Sequence, residues 1–92
     1  MIARNVFFEG RVQGVGFRYT VRNLARGFEV AGWVRNLDDG RVELLAAGEP
    51  DEVEAFLAAI AESELAGLIK NTQARPAAPG ALEGVRGFSI LH

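Results

Sequence analysis

Hydrophobic and polar positions recur with two different periods along these 92 residues, and each change of period marks an element. Over residues 5–10, Val6 and Phe8 fall on one face and Asn5, Phe7 and Glu9 on the other, the period of a strand. Past a glycine-rich connection the period lengthens. Phe17, Val21, Leu24, Ala25 and Phe28 recur at helical spacing, with Arg22, Asn23 and Arg26 opposite. This predicts a helix over 19–26, stopped at Gly27, with Arg26 beside the negative end of its dipole. Strands follow over 29–36 and 41–47, the latter with Val42, Leu44 and Ala46 on one face, joined through a hairpin signal at Asp39-Gly40. Pro50 suits the first position of a second helix, where its missing N–H costs nothing, and Asp51, Glu52 and Glu54 load that end with negative charge. Val53, Phe56, Leu57 and Ile60 form the second buried stripe, and Ala66-Gly67 ends it. Residues 68–75 read as a fourth strand, unusually polar at Lys70-Asn71-Thr72-Gln73. Residues 76–84, with Pro76 and Pro79, read as a loop, and 88–91 as a short closing strand at a sheet edge.

The order β-α-β-β-α-β plus a terminal strand is the split βαβ, or ferredoxin-like, arrangement of the α+β class. Two helices with one apolar stripe each cover one face of an antiparallel sheet. The other face stays open, which accounts for Phe7 and Trp33 as half-exposed sheet residues. In this topology the first two strands run parallel with the third between them, so their C-terminal ends share one edge. Strand one ends at the glycine-rich connection and strand two at Asn36. Asn36 shares parity with Val30 and Val34, and so faces the helices and the connection if they do.

A chain of this size forms one domain over residues 1–92 and can bury roughly 60–65% of its unfolded surface. Without cysteine there is no disulfide framework and no thiolate chemistry. A single histidine, His92, makes a zinc site an unsuitable expectation. No apolar run reaches bilayer length, and the N-terminus carries charge where a signal peptide needs an apolar stretch. These features predict a cytoplasmic, metal-free monomer with no cofactor. The net charge of −2 disfavours nucleic acid as a partner, yet the charge is unevenly spread. Residues 1–41 hold seven arginines against four acids, and residues 42–92 three bases against eight acids. The positive half is the one that would attract a small anion.

That half contains Arg11-Val12-Gln13-Gly14-Val15-Gly16-Phe17-Arg18. Two glycines two apart let the backbone fold tightly and turn its N–H groups inward, because glycine accepts positive φ. Such a nest at a helix start binds anions, and the guanidinium of Arg18 matches two phosphate oxygens. The ordinary alternative is a glycine-containing strand-to-helix turn that binds nothing. The stretch is neither a dinucleotide fingerprint nor a P-loop, lacking the third glycine of one and the Gly-Lys-Ser/Thr of the other. Likewise Asn36, ahead of Asp38-Asp39-Gly40, suits a residue that merely starts a turn. Arg22 and Arg26 read as a solvated helix face, and Arg4, Arg35 and Arg41 as cross-strand or edge charges.

Arg11 to Arg18 taken with Gly32-Trp33-Val34-Arg35-Asn36 and the following turn resembles the acylphosphatases, small enzymes that hydrolyse the carboxyl–phosphate bond of acyl phosphates. The likeness is close over residues 4–48 and weaker afterwards, where Ala66-Gly67-Leu68 replaces the family's usual Gly-Pro turn. The resemblance implies a ferredoxin-like fold and catalysis without metal. It implies that Arg18 binds the phosphoryl group, that backbone amides of Gln13, Gly14, Val15, Gly16 and Phe17 hold it, and that Asn36 positions the attacking water. The substrate would be a small acyl phosphate, with inorganic phosphate as product or inhibitor. Two other readings compete: a phosphate- or carbamoyl-phosphate-holding module of a larger assembly, and RNA binding on the open sheet face through Phe7 and Trp33. The second lacks the aromatic strand of RNA-binding modules and sits poorly with a pI near 5.3.

Overall fold

The computed structural model describes residues 1–78 and 80–92; Pro79, read above as part of a loop, lies outside them. Its elements are β1 (Ile2–Gly10), α1 (Phe17–Ala25), β2 (Val30–Asn36), β3 (Val42–Gly48), α2 (Pro50–Ala61), a 3₁₀ turn (Ala66–Leu68), β4 (Ile69–Pro76) and β5 (Phe88–Leu91). All seven residues of β3 are buried because it is the middle strand of a sheet ordered β4-β1-β3-β2-β5. β1 and β2 each pair antiparallel with β3 and so run parallel to one another. The expected antiparallel arrangement holds for the first four strands, but β5 joins β2 in parallel, which makes the sheet mixed. β4 ends beside the start of β1, where Ala77 N–H donates to Ala3 O at 3.1 Å. The chain then crosses the sheet at that end, Gly32 N–H donates to Gly87 O at 2.9 Å, and β5 can only run back toward the opposite end.

The predicted parities hold. Val6 and Phe8, Val34, and Val42, Leu44 and Ala46 form one buried layer with Phe17, Val21 and Ala25 of α1 and Val53, Phe56 and Ile60 of α2. Phe56 packs between Phe28 and Phe88 at 5.8 and 5.6 Å, and Phe8 against Phe17 at 5.2 Å. Full burial of a ring such as Phe17 or Phe56 contributes about 1.5–3 kcal/mol of transfer free energy, while Phe28 and Phe88 are only partly buried. Helix α2 stops at Ala61, short of the expected Ala66-Gly67. Ser63 Oγ donates to Ile60 O at 2.7 Å and accepts Leu65 N–H at 3.1 Å, a local turn that competes with helix continuation. Helix α1 begins two residues earlier than expected, because Gly16, at φ 78°, already turns the chain into it.

The open face is less open than expected. Phe7 is only 9% exposed, since the guanidinium carbons of Arg41 and Arg75 lie 4.8 and 4.9 Å from its ring centroid. Trp33 is half-buried as expected. Beside it, Arg35 and Glu43 form the expected cross-strand pair at 2.7 Å, and Asn5 Nδ2 donates to the same carboxylate at 3.0 Å. Arg4 instead reaches Glu54 on α2 at 3.8 Å. The polar run in β4 is explained by position: β4 is an outer strand, and residues 70–76 are exposed.

Candidate functional site

The connection between β1 and α1 folds as the glycine spacing predicts. Gly14 and Gly16 take φ of 76° and 78°, a left-handed backbone that side chains with a Cβ avoid. Among the described residues, no hydrogen bond uses the N–H groups of Gly14 to Tyr19; the first to be taken is that of Thr20, by Gly16 O at 3.0 Å. This leaves a run of donors at the positive end of α1, where no acidic side chain occupies the first turn.

Beside this run lies a hollow of about 80 Å³ lined by Val12, Gly14, Gly16, Phe17, Arg18, Tyr19 and Asn36. Residues at the ends of β1 and β2 thus meet across β3, as the split topology requires. Arg18 and Asn36 share the hollow. No hydrogen bond among the described residues uses the Asn36 carboxamide, so both its oxygen and its nitrogen are available. One Arg18 amino group donates to Leu91 O at 3.2 Å, which steadies the guanidinium from β5 and leaves its other donors unassigned.

Gln13 and Val15, expected to hold the phosphate through their amides, are not among the residues that line the hollow. Val15 is 45% exposed at the rim. The Gln13 side chain turns the other way, and its Nε2 donates to Leu37 O at 2.8 Å and to Arg41 O at 3.0 Å. Both acceptors sit at the neck of the β2–β3 hairpin, which Leu37 N–H closes onto Arg41 O at 2.8 Å. Gln13 therefore clasps the loop to the segment that carries Asn36, a role its sequence context did not disclose. At the hairpin tip, Asp39 accepts Arg41 N–H at 3.1 Å and Arg41 Nε at 2.8 Å. The backbone N–H first, and then the guanidinium, hold its carboxyl below the ordinary value of 3.8. Tyr19 and Leu91 are the other contributors that sequence reasoning missed. Tyr19 had one signal, an aromatic residue off the apolar stripe of α1; Leu91 had none.

A roomier, mostly apolar groove of about 400 Å³ lies between α2 and β4, and among the described residues its polar lining is the run Lys70, Asn71 and Thr72 along the outer strand. Among the described residues no three of His, Cys, Asp or Glu come together as a metal-ligand set.

The acylphosphatase family model matches residues 4–90. The chain belongs to the acylphosphatase family. A Bacillus velezensis acylphosphatase is 42% identical over 96 residues that span the whole of both chains. The crystal structure of acylphosphatase from Bacillus subtilis superposes with a TM-score of 0.87 at 38% identity, again over the whole of both chains. The same fold occurs within a longer protein: T. kodakarensis HypF matches at a TM-score of 0.84 and 27% identity, with this chain covering 12% of it. Among these, the match to stand-alone acylphosphatases is end to end.

Proposed function

We propose that the loop hollow is the active site for the hydrolysis of acyl phosphates that characterises this family, and that it works without a metal. The phosphoryl group sits in the nest of Gly14, Val15, Gly16 and Phe17 amides, joined by that of Gln13, and the guanidinium of Arg18 grips two of its oxygens. The Asn36 carboxamide holds a water in line behind phosphorus. Attack forms the new P–O bond as the bond from phosphorus to the acyl oxygen breaks. The carboxylate leaves with the bonding pair, and inorganic phosphate carries away the water's oxygen.

A carboxylate leaves readily, so neither a covalent nucleophile nor a strong base is needed. Fixed donors and a placed water supply the catalysis. The single observation that carries this reading is that Gly14, Gly16 and Phe17, whose N–H groups make no hydrogen bond among the described residues, line one hollow with Arg18 and Asn36. We further assign the chain a single-domain, monomeric and cytoplasmic existence, with inorganic phosphate as product and inhibitor.

The test is Arg18→Ala assayed on benzoyl phosphate. A positioned arginine in phosphoryl transfer is worth about 10³–10⁵ in rate, so turnover should nearly vanish. Arg18→Lys should recover little, because an ammonium lacks the fork. Retention of most turnover by Arg18→Ala removes Arg18 from the site. Phosphate binding without turnover by the unmodified chain would turn the reading to a phosphate-holding module.

A further inference from the structure

Lys70 is the one lysine of the chain, beside nine arginines, and so carries its one side-chain amine. An arginine guanidinium stays protonated and offers no lone pair, whereas a lysine amine in its neutral form is a nucleophile. The acyl phosphates that this family hydrolyses hold a carbonyl carbon next to phosphate, a good leaving group. They are therefore open to attack at carbon as well as at phosphorus.

Lys70 stands where such a molecule can settle. Helix α1 packs chiefly over β2 and β5, and α2 chiefly over β1 and β3, so β4 lies beyond the outer flank of α2. The groove of about 400 Å³ occupies that flank, with Phe8, Leu57, Ala61 and Ile69 among its apolar walls. A cavity of about 150 Å³ with apolar walls already holds benzene, so an aromatic acyl group fits. Thr72 and Ala74 pair with Phe8 and Val6 of the layer beneath the helices, and Lys70, two residues before Thr72, shares their parity. Lys70 lines the groove, is exposed, and makes no ion pair or side-chain hydrogen bond among the described residues. It also lies at the loop's end of the sheet: Ile69 is opposite Gly10, and Leu68 O accepts Arg11 N–H at 2.9 Å.

We infer that Lys70 is the site at which acyl phosphates acylate this chain, and that the groove beside it favours an aromatic acyl group. The ammonium first loses a proton to solvent. Its lone pair then attacks the carbonyl carbon while the acyl group rests in the groove. The new C–N bond forms as the carbon–oxygen bond to phosphate breaks, and phosphate leaves with the bonding pair and takes up the amine's second proton. Lys70 ends as a neutral amide. Hydrolysis, by contrast, breaks the phosphorus–oxygen bond, so the acylation uses neither Arg18 nor Asn36 and rests on the family's substrate class alone.

The experiment treats the unmodified chain and Arg18→Ala, in which the reagent should persist, with benzoyl phosphate or acetyl phosphate at about pH 8, where more amine is neutral. Adducts are mapped by mass spectrometry after cleavage at arginine. The N-terminal amine is the internal reference, since Met1 is 79% exposed and does not line the groove. The ratio of adduct on Lys70 to adduct on the N-terminus should be about tenfold higher with benzoyl than with acetyl phosphate, the worth of laying part of a ring on apolar surface. In guanidinium chloride both amines remain but the groove does not, and the two reagents should give the same ratio. Lys70→Arg should remove the internal adduct. Equal ratios in the folded chain, a difference that persists in denaturant, an internal adduct that survives Lys70→Arg, or no adduct on Lys70 overturns the inference. The ratio is read within one molecule, so it holds whether or not Arg18→Ala still hydrolyses benzoyl phosphate; continued hydrolysis would count against the loop hollow alone.

Discussion

Removing the Gln13 side chain should separate holding a phosphate from hydrolysing an acyl phosphate. Its Nε2 spans Leu37 O and Arg41 O at 2.8 and 3.0 Å. Both carbonyls keep a backbone partner without it: Leu37 O accepts Gly40 N–H at 3.2 Å, and Arg41 O accepts Leu37 N–H. Gln13→Ala therefore orphans no acceptor. It loses two exposed hydrogen bonds, together about 1–2 kcal/mol, and lowers Tm by about 4–16 °C in a domain of this size. The chain stays folded. Catalysis should suffer more, because Leu37 is the residue after Asn36 and the clasp is what ties it to the loop. With Asn36 holding the attacking water as proposed, its displacement by about 1 Å can cost roughly 100-fold, so kcat on benzoyl phosphate should fall about 10- to 100-fold. Inhibition by inorganic phosphate should change by less than about threefold, since loop amides and Arg18 remain. Gln13→Glu keeps the length but loses the donor and sets a negative charge against two carbonyl oxygens, so it should be worse than alanine. The reasoning is refuted if kcat stays within about twofold while Tm falls as expected, or if the glutamate variant outperforms the alanine one.

Three other substitutions test separate parts of the structure. Asn36→Ala should lower kcat about 10²- to 10³-fold with little change in phosphate inhibition; equal losses in both would make Asn36 a phosphate contact. Gly32→Ala should destabilise by about 3 kcal/mol or more in urea titration, because a Cβ there would sit 1.8 Å from Leu45 O of the central strand; a loss below about 1 kcal/mol would mean that β2 can move away freely. For Asp39 the folded-state pKa is depressed, so its contribution to stability is complete above the unfolded value of about 3.9 and is lost as pH falls through the folded one. Asp39→Asn should therefore differ from the parent by a constant amount over about pH 5–8 and converge with it in strong acid. A difference that grows between neutrality and about pH 5 would contradict that pairing.

What was legible in the sequence is what local period and chain order dictate. The alternation of Val6 and Phe8 with Phe7, and of Val34 with Trp33, places Arg18 and Asn36 at one edge, because parity and parallel strands leave little choice. The remainder depends on contacts between distant segments. Gln13 meets the hairpin neck 24 and 28 residues away, and nothing near residue 13 announces which carbonyls will stand there. Phe7 was assigned to the correct face, but its burial depends on Arg41 and Arg75, brought from two other strands. Its place opposite the apolar stripe of α1 predicts Arg22 as a solvated residue, and for a sheet ending at β2 that expectation would stand. The chain instead crosses over and returns as β5 beside β2, which widens the sheet beneath that flank. Phe88 at the start of this four-residue strand becomes the floor under Arg22, and Leu91 at its end supplies the carbonyl that holds Arg18. One crossover thus both steadies Arg18 and turns its neighbour from a solvent-facing charge into the wall of a groove.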